Sequence, residues 1–337
     1  MIRIGLVGTG GVGRALMDLV GERDDMKLVF ALNSRSGVGD QEGLDPERLC
    51  GYLGENRDLS GFGEEGFGVW DIQEVLQRYH VDLLVEATPT DKRTGEPATS
   101  TIRVALQNGL HVVTANKGPV MLHYRELKDL ANGKGLGFGI GATAGAALPT
   151  ISAGENDLLG SRLLGIRGVL NGTTNYILHL METEGVAYTD ALRQAQEEGI
   201  AETDPSQDVE GWDTAIKMTI IANALAGTDL TLEGAQVTGI TQLTGEDIMA
   251  AKRDGKRYRL LGELNLEDEN PRVVVRPLMV SQEDIFFGVQ GKNKGVQYMT
   301  DNLGEIAILG GASDVRGAAA AIIRDILQIK KRIFRKV

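Results

Sequence analysis

The chain has one cysteine, Cys50, so no intramolecular disulfide can form and a reducing compartment is expected. It has no apolar run approaching the roughly 18 residues that a membrane span needs. Positive charge is in deficit: 35 Lys and Arg stand against 47 Asp and Glu, a net charge of −12. So acidic a surface speaks against nucleic acid or an anionic membrane as partner. The first residues run directly into a glycine loop, so no signal peptide is expected and the cytoplasm is the expected location. The four histidines, His80, His111, His123 and His179, are scattered and none has a partner at metal-ligand spacing. There is no G-x-S-x-G elbow. Cys50 lies far in sequence from any candidate base, so a thiol-acylating aldehyde dehydrogenase is not expected. Prolines number only 8 against 45 glycines, a composition that implies many tight turns and close backbone approaches.

What remains is ordinary for a globular protein: 42% hydrophobic and 24% charged residues, which excludes a disordered chain. At about 150 residues per domain, 337 residues make two domains the expectation. Residues 2–7 read as a buried strand. The sequence G-T-G-G-V-G follows, and then Val12, Ala15, Leu16, Leu19 and Val20 recur at the spacing of an amphipathic helix. A strand at 27–32 closes this unit. Residues 37–68, rich in glycine and scattered charge, read as a mobile excursion with a short helix near Pro46. Alternation resumes with helices at 72–79, 101–107 and 124–131 and strands at 81–87 and 111–114. This grammar predicts an α/β fold with a doubly wound parallel sheet. After about residue 145 the pattern changes. A strand at 166–170, helices at 174–182, 189–198 and 208–226, a strand at 272–280, a hairpin pairing 286–290 with 296–300, and a strand at 305–309 predict an α+β domain with a mixed sheet. The last helix, about 317–333, is too apolar to stand alone and is expected to return to the first domain. The basic end, Lys330 to Lys336, reads as a solvated helix terminus.

A lone G-x-G-x-x-G is weak evidence, but Gly8, Gly10 and Gly13 lie between a predicted strand and a helix, the context a dinucleotide fingerprint requires. The ribose position at the end of the second strand holds Asn33-Ser34-Arg35-Ser36 where an NAD enzyme usually carries a carboxylate. An arginine and two hydroxyls there suit a 2′-phosphate, hence NADP, with NAD possible. Lys117 follows the strand 111–114 and the turn Ala115-Asn116, at the carboxyl end of a sheet strand where open α/β folds bind ligands. Lys217 is the only charge between Ala215 and Ala226. A lysine on so apolar a helix is expected to be desolvated, which suits it to proton transfer. Asp213, four residues earlier, shares its face. Glu202, Asp204, Asp208, Glu210 and Asp213 crowd the approach to that helix, an acidic setting for a substrate ammonium group or simply a solvated loop. Asn171-Gly172-Thr173-Thr174-Asn175 joins a strand to a helix, where a threonine can cap the helix or free N–H groups can hold a carboxylate. Together these features suggest an amino acid oxidised by hydride transfer.

The motifs G-T-G-G-V-G, T-A-N-K-G-P at 114–119, N-G-T-T-N-Y-I-L at 171–178 and E-G-I-A-E-T-D-P-S-Q-D-V-E-G-W-D-T-A-I-K at 198–217 resemble homoserine dehydrogenase, in its short form without a C-terminal regulatory domain. The resemblance implies interconversion of homoserine and aspartate 4-semialdehyde, toward threonine and methionine, by an NAD(P)-dependent oxidoreductase. It implies catalytic roles for Lys117 and Lys217 and substrate contacts at Glu202, Asp208, Asp213, Gly172 and Thr173. Cofactor contacts are implied at Gly8, Thr9, Gly10, Gly11, Val12, Gly13, Asn33, Ser34, Arg35, Thr88, Pro89, Asn116 and Lys117. It implies a Rossmann domain at 1–140, a catalytic and dimerisation domain at 141–305, a returning segment at 306–337, and a homodimer. The family's monovalent-cation site takes a glutamate where this chain has Gly141. Only backbone carbonyls near Ala144, Ala146 and Leu148 remain as metal ligands, and occupancy is not expected. The family's turn near the C-terminus is altered at Gly310-Gly311-Ala312-Ser313. The rival expectations are another Rossmann amino-acid dehydrogenase, such as one acting on aspartate, and a catalytically inactive NADP-binding sensor.

Overall fold

The computed structural model describes residues 1–311 and 313–334, with side chains through residue 331. Ala312 of the altered turn, and Arg335 and Lys336 of the basic end, lie outside the described residues. The chain forms two compact units, 1–146 with 314–337, and 147–313.

In the first unit, β1 (Ile2–Val7), α1 (Gly11–Gly21) and β2 (Met26–Leu32) follow the sequence pattern, with Ile4, Leu6, Leu16 and Leu28 buried in one apolar cluster. Next come β3 (Gly37–Gly39), α2 (Pro46–Glu55), β4 (Gly66–Phe67), α3 (Ile72–Arg78), β5 (Leu83–Glu86), α4 (Ala98–Gln107), β6 (His111–Thr114), α5 (Lys117–Gly133), β7 (Phe138–Gly139) and the single turn α6 (Gly141–Ala144). The sheet order is β4-β3-β2-β1-β5-β6-β7. The five strands from β2 to β7 are parallel, and the order reverses at β1, the switch point that opens a crevice at the strands' carboxyl ends.

The second unit contains α7 (Thr150–Asp157), β8 (Leu163–Val169), α8 (Gly172–Glu184), α9 (Tyr188–Glu197), α10 (Ser206–Val209), α11 (Trp212–Ala226), β9 (Gln236–Val237), α12 (Gly245–Arg253), β10 (Arg257–Asn265), β11 (Val274–Val280), β12 (Lys294–Thr300) and β13 (Glu305–Gly310). Its sheet, ordered β13-β12-β8-β10-β11-β9, is antiparallel except for the β11–β9 pair. The apolar helix α11 lies directly on this sheet. A Cβ added at Gly262 of β10 would fall 2.6 Å from Met218 Cγ, so only glycine permits the approach. The last helix, α13 (Val315–Phe334), belongs to the first unit. Its Ala319, Ile322 and Ile326 join the cluster of Leu6 and Leu16, and Lys330 reaches Asp25 at 2.9 Å.

Several elements depart from the sequence reading. The segment 37–68 is not an irregular excursion: β3 pairs antiparallel with β2, and β4 with β3, so the sheet is not purely parallel. Glycine is required there because the rings of Phe67 and Tyr79 fill the space of a Cβ at Gly37 and Gly39. The helix expected at 208–226 is two, broken at Gly211, whose φ of +93° is left-handed. The expected hairpin 286–300 does not form. Ile285–Gly288 is a 3₁₀ turn with Phe286 buried, and β12 makes its hairpin with β13 instead. Element α5 is two helical stretches joined across a kink at His123 (φ −135°, ψ 19°): the helix expected from about 124 is the second, and an unexpected first stretch starts at Lys117, with Pro119 in its first turn, where no backbone donor is needed. Among the described residues no helix is long and apolar enough to cross a membrane.

Candidate active site

A cavity of about 840 Å³ opens in the first unit around Gly8–Val12, Asn33–Arg35, Asn56, Arg57, Trp70 and Ala87–Thr90. The glycine turn shapes one wall. Gly8 has φ +108°, and a Cβ there would fall 2.4 Å from the Ala87 carbonyl carbon. A Cβ at Gly13 would fall 2.0 Å from Gly8 O, so this glycine lets α1 close on the strand. At Gly10 a Cβ meets nothing within 4 Å; that backbone borders open space. Gly10 caps α1 with no side-chain bond, which leaves first-turn N–H groups for an anion. This cradle fits the pyrophosphate of a dinucleotide, with Thr9, Gly10, Gly11 and Val12 on the lining and Gly13 behind it.

At the end of β2 the side chain of Asn33 forms a turn: its Oδ1 accepts from Arg35 N at 2.9 Å and Ser36 N at 3.0 Å. Its Nδ2 donates to Arg57 O at 2.9 Å, and its carbonyl accepts from Trp70 Nε1 at 2.7 Å. Ser34 and Arg35 are exposed on the cavity wall. Ser36 is not: it is buried and its Oγ accepts from Leu59 N at 2.7 Å, so the second expected hydroxyl is spent on the fold. Arg57 lines the same wall with a second guanidinium, and among the described residues no Asp or Glu lines the cavity. Arg35 also acts on Asp58, whose carboxyl is held below its ordinary value chiefly by the Ser60 N–H and by Ser36.

Thr88 and Pro89 line the cavity beyond the glycine turn. Asn116 reaches it indirectly, donating from Nδ2 to Thr88 Oγ and Pro89 O, each at 3.2 Å. Asn116 is also the N-cap of α5, accepting from Gly118 N at 3.0 Å, and Lys117 is the first residue of that helix. Cys50 is no nucleophile: burial pushes its thiol up to about 12.

The second unit gathers the other candidates. Lys217 Nζ lies 2.5 Å from Asp213 Oδ2 and donates to Leu170 O at 2.8 Å, with the two side chains only 14% and 9% exposed. The pair is thus buried rather than a surface i,i+4 pair. Asn171, the N-cap of α8, donates to Asp208 Oδ1 at 2.6 Å and to Asp213 Oδ2 at 2.9 Å. Burial, then the Asp213 charge, raises the Asp208 carboxyl above its ordinary value, opposed by the Asn171 bond and by Lys217. Gly172 must be glycine, since a Cβ would fall 2.5 Å from Ser313 Oγ. Thr173 Oγ donates to Ile200 O at 3.2 Å, and Thr174 rather than Thr173 bonds the Asn171 cap. Glu202 is exposed. Its carboxylate does not join the cluster, and only its carbonyl is engaged, by Gln196.

Gly141 faces α13. Its N–H donates to Asp325 Oδ2 at 2.7 Å, and a Cβ would fall 2.7 Å from Asp325 Oδ1. The carboxylate of Asp325 fills the space that a side chain at 141 would need. Ala144 and Leu148 are buried, and Ala146 has φ +51°. Among the described residues no three His, Cys, Asp or Glu side chains are grouped to hold a metal ion.

A dinucleotide cradle in one unit and a largely buried Lys–Asp–Asn–Asp cluster in the other accompany two family matches. Residues 8–138 match the homoserine dehydrogenase NAD-binding domain, and residues 149–327 match homoserine dehydrogenase itself. The chain belongs to the homoserine dehydrogenase family. It is 35% identical to the homoserine dehydrogenase of Methanocaldococcus jannaschii, over 96% of this chain and 97% of that one. It is 34% identical to the NAD(+)-dependent homoserine dehydrogenase of Pseudomonas canavaninivorans, over 99% and 97%. A hyperthermophilic archaeal homoserine dehydrogenase mutant, solved in complex with NADPH, superposes with a TM-score of 0.84 at 26% identity, covering 98% of each chain. The activity follows from the family: NAD(P)-dependent oxidoreduction at the CH–OH group of homoserine.

Sequence reasoning missed Asn171 as the link between the acids, and Arg57 and Trp70 on the cavity. Asn171 carried a signal, an Asn opening a strand-to-helix turn. Arg57 and Trp70 carried none, because they lie in or just after the segment whose strands went unread.

Proposed function

We propose that this homoserine dehydrogenase binds its cofactor in the first unit, preferring NADP to NAD, and binds homoserine in the second. The observation that carries the cofactor reading is the pair Arg35 and Arg57 on a cavity wall with no carboxylate. Guanidiniums grip a phosphate with planar forks, and a carboxylate there would repel it. Gly8, Thr9, Gly10, Gly11, Val12 and Gly13 would hold the pyrophosphate, Ser34 and Arg35 the ribose phosphate, and Thr88 and Pro89 the edge beyond, with Asn116 behind. When bound, the nicotinamide supplies the chemistry of accepting or returning a hydride. Lys117, beginning α5 beside this edge, is assigned to the reacting end of the site. The relative named NAD(+)-dependent keeps NAD as the alternative cofactor.

In the second unit Asp208 and Asp213 supply the negative charge that recognises an ammonium group; Glu202, exposed and outside that cluster, is kept as a substrate contact on its motif alone. Gly172 and Thr173, opening α8, offer backbone N–H groups to the substrate carboxylate. Lys217 has three N–H donors, and Asp213 and Leu170 take two. The third is assigned to the substrate oxygen, to which it gives its proton as hydride reaches the carbonyl carbon; in the oxidation direction the amine form of Lys217, with a lone pair in place of this N–H, takes the hydroxyl proton. A monovalent cation at the carbonyls of Ala144, Ala146 and Leu148 is not expected, because Asp325 fills the space that a side-chain ligand at 141 would need. A homodimer and a cytoplasmic location are the accompanying expectations. Exposed Met279 on β11 and Leu309 on β13 offer apolar surface for an assembly, and the sole cysteine suits a reducing setting.

The test is steady-state oxidation of homoserine with each cofactor, followed at the reduced-nicotinamide absorbance. Glu202→Gln should raise KM for homoserine by roughly tenfold, the loss of one charge-assisted contact, while cofactor affinity holds. Tighter binding of NAD than NADP, or parallel weakening of homoserine and cofactor in Glu202→Gln, overturns the corresponding assignment.

A further inference from the structure

Glu86, the last residue of β5, is wholly buried. Its Oε1 accepts from Thr88 N at 2.9 Å and from the Thr88 hydroxyl, and its Oε2 accepts from the Thr114 hydroxyl at 2.9 Å. The two hydroxyls are themselves acceptors. Thr114 Oγ takes the Asn116 N–H at 3.0 Å, and Thr88 Oγ takes Asn116 Nδ2 at 3.2 Å. Asn116 Oδ1 accepts from Gly118 N at 3.0 Å, while Nδ2 also donates to Pro89 O. The donors therefore run one way: from the start of α5 into Asn116, from Asn116 into two threonine hydroxyls, and from both hydroxyls into one carboxylate.

Glu86 offers two carboxyl oxygens, one facing each branch, where an amide offers only one oxygen and a donor. Burial, the largest influence, raises the Glu86 carboxyl above its ordinary value, and the hydrogen bonds from Thr88, Thr114 and Asn116 oppose that rise. A network of this kind is rigid when every member is satisfied and costly when one is not. What it joins is specific: the strand-end loop carrying Thr88 and Pro89 on the cavity, and the first turn of α5, which carries Lys117. Because β1 lies between β2 and β5, the glycine turn separates this edge from the wall of Arg35 and Arg57.

We propose that Glu86 is a positioning residue: by accepting from Thr88 and Thr114 it fixes the β5 edge of the cofactor cavity and the start of α5 that carries Lys117. This rests on the reading of the cavity as the cofactor site. In Glu86→Gln the amide nitrogen must face one of the two hydroxyls, which is then left with no acceptor for its own proton. In Thr114→Val one branch is cut outright.

The test measures homoserine oxidation and two binding constants, for NADP and for adenosine 2′,5′-bisphosphate, which carries the 2′-phosphate but no nicotinamide. Each variant should lose about tenfold or more in kcat, the scale of one lost bond to a charged group. Affinity for adenosine 2′,5′-bisphosphate should match that of wild type. The double variant should be no slower than the slower single one, since both break the same network. Smaller losses in kcat, additive losses, or a parallel loss of adenosine 2′,5′-bisphosphate affinity overturn the proposal, the last because it marks general loosening. If Glu86→Gln does not fold, Thr114→Val decides alone. A wild-type protein that fails to oxidise homoserine or to bind adenosine 2′,5′-bisphosphate overturns the functional reading beneath it instead.

Discussion

Lys217→Met separates catalysis from stability in the second unit. Methionine keeps an unbranched side chain on α11 and removes the charge. In the structure Nζ has two partners, Asp213 at 2.5 Å and Leu170 O at 2.8 Å, and Asp213 is 9% exposed. Removing one partner of a buried ion pair costs about 3–5 kcal/mol, because the other charge stays behind unpaired. The lower end applies here, since Asp213 still accepts from Asn171 at 2.9 Å, and a loss of about 3 kcal/mol is expected in urea unfolding. Asp208 loses a neighbouring cation that favours its ionised form, and its carboxyl moves further up. The catalytic loss is a separate quantity: a positioned acid–base group contributes about 10²- to 10⁴-fold to kcat. Adding Asp213→Asn to Lys217→Met removes the orphaned charge. The double variant should recover most of the stability and none of the kcat. A Lys217→Met protein that turns over homoserine near the wild-type rate refutes the acid–base role. A double variant no more stable than the single one refutes the account of the ion pair.

Removing Arg35 or Arg57 by Ala substitution should each narrow the NADP-over-NAD affinity gap by about 1 kcal/mol, roughly fivefold, since both side chains are exposed and screened; titration of both oxidised cofactors at two salt concentrations checks it, and an unchanged gap would falsify the phosphate assignment. The Asp25 carboxyl is held at about 2, first by Arg23 and then by Lys330 of α13. Its folded value is depressed, so its stabilisation is present above the ordinary 3.8 and is lost as pH falls through about 2. Asp25→Asn should cost under about 1 kcal/mol at neutral pH, because the pair is a third exposed, and nothing at the acid end; a cost that grows with acidification contradicts this. Gly141→Ala places a methyl 2.7 Å from Asp325 Oδ1 and should destabilise the first unit by about 1–3 kcal/mol. Equal stability of the alanine variant would show that α13 yields easily at this point.

By itself the sequence determined what depends on neighbours in the chain. Strand, glycine turn and helix at 2–21 were legible because periodicity and glycine position are local signals. Lys217 and Asp213 were legible as a pair because a helix brings residues four apart together. The end of β2 announced the missing carboxylate. The tertiary structure alone decided what is joined across the chain. Strand β10 went unread because Arg257, Arg259 and Glu263 interrupt its apolar pattern, and Arg259 is tolerated in the interior because Glu182 and the carbonyls of Tyr258, Phe286 and Phe287 surround its guanidinium. Ser36 looked like a phosphate donor until Leu59, 23 residues on, took its oxygen. Arg57 and Trp70 reached the cavity because glycines at 37 and 39 let two edge strands pack under aromatic rings. Asn171 met acids 37 and 42 positions away. Gly141 found Asp325 across 184 residues. Local periodicity chooses each element, but which buried donor meets which acceptor depends on how the elements pack, and a single polar group in the interior must find its partner wherever the fold has placed it.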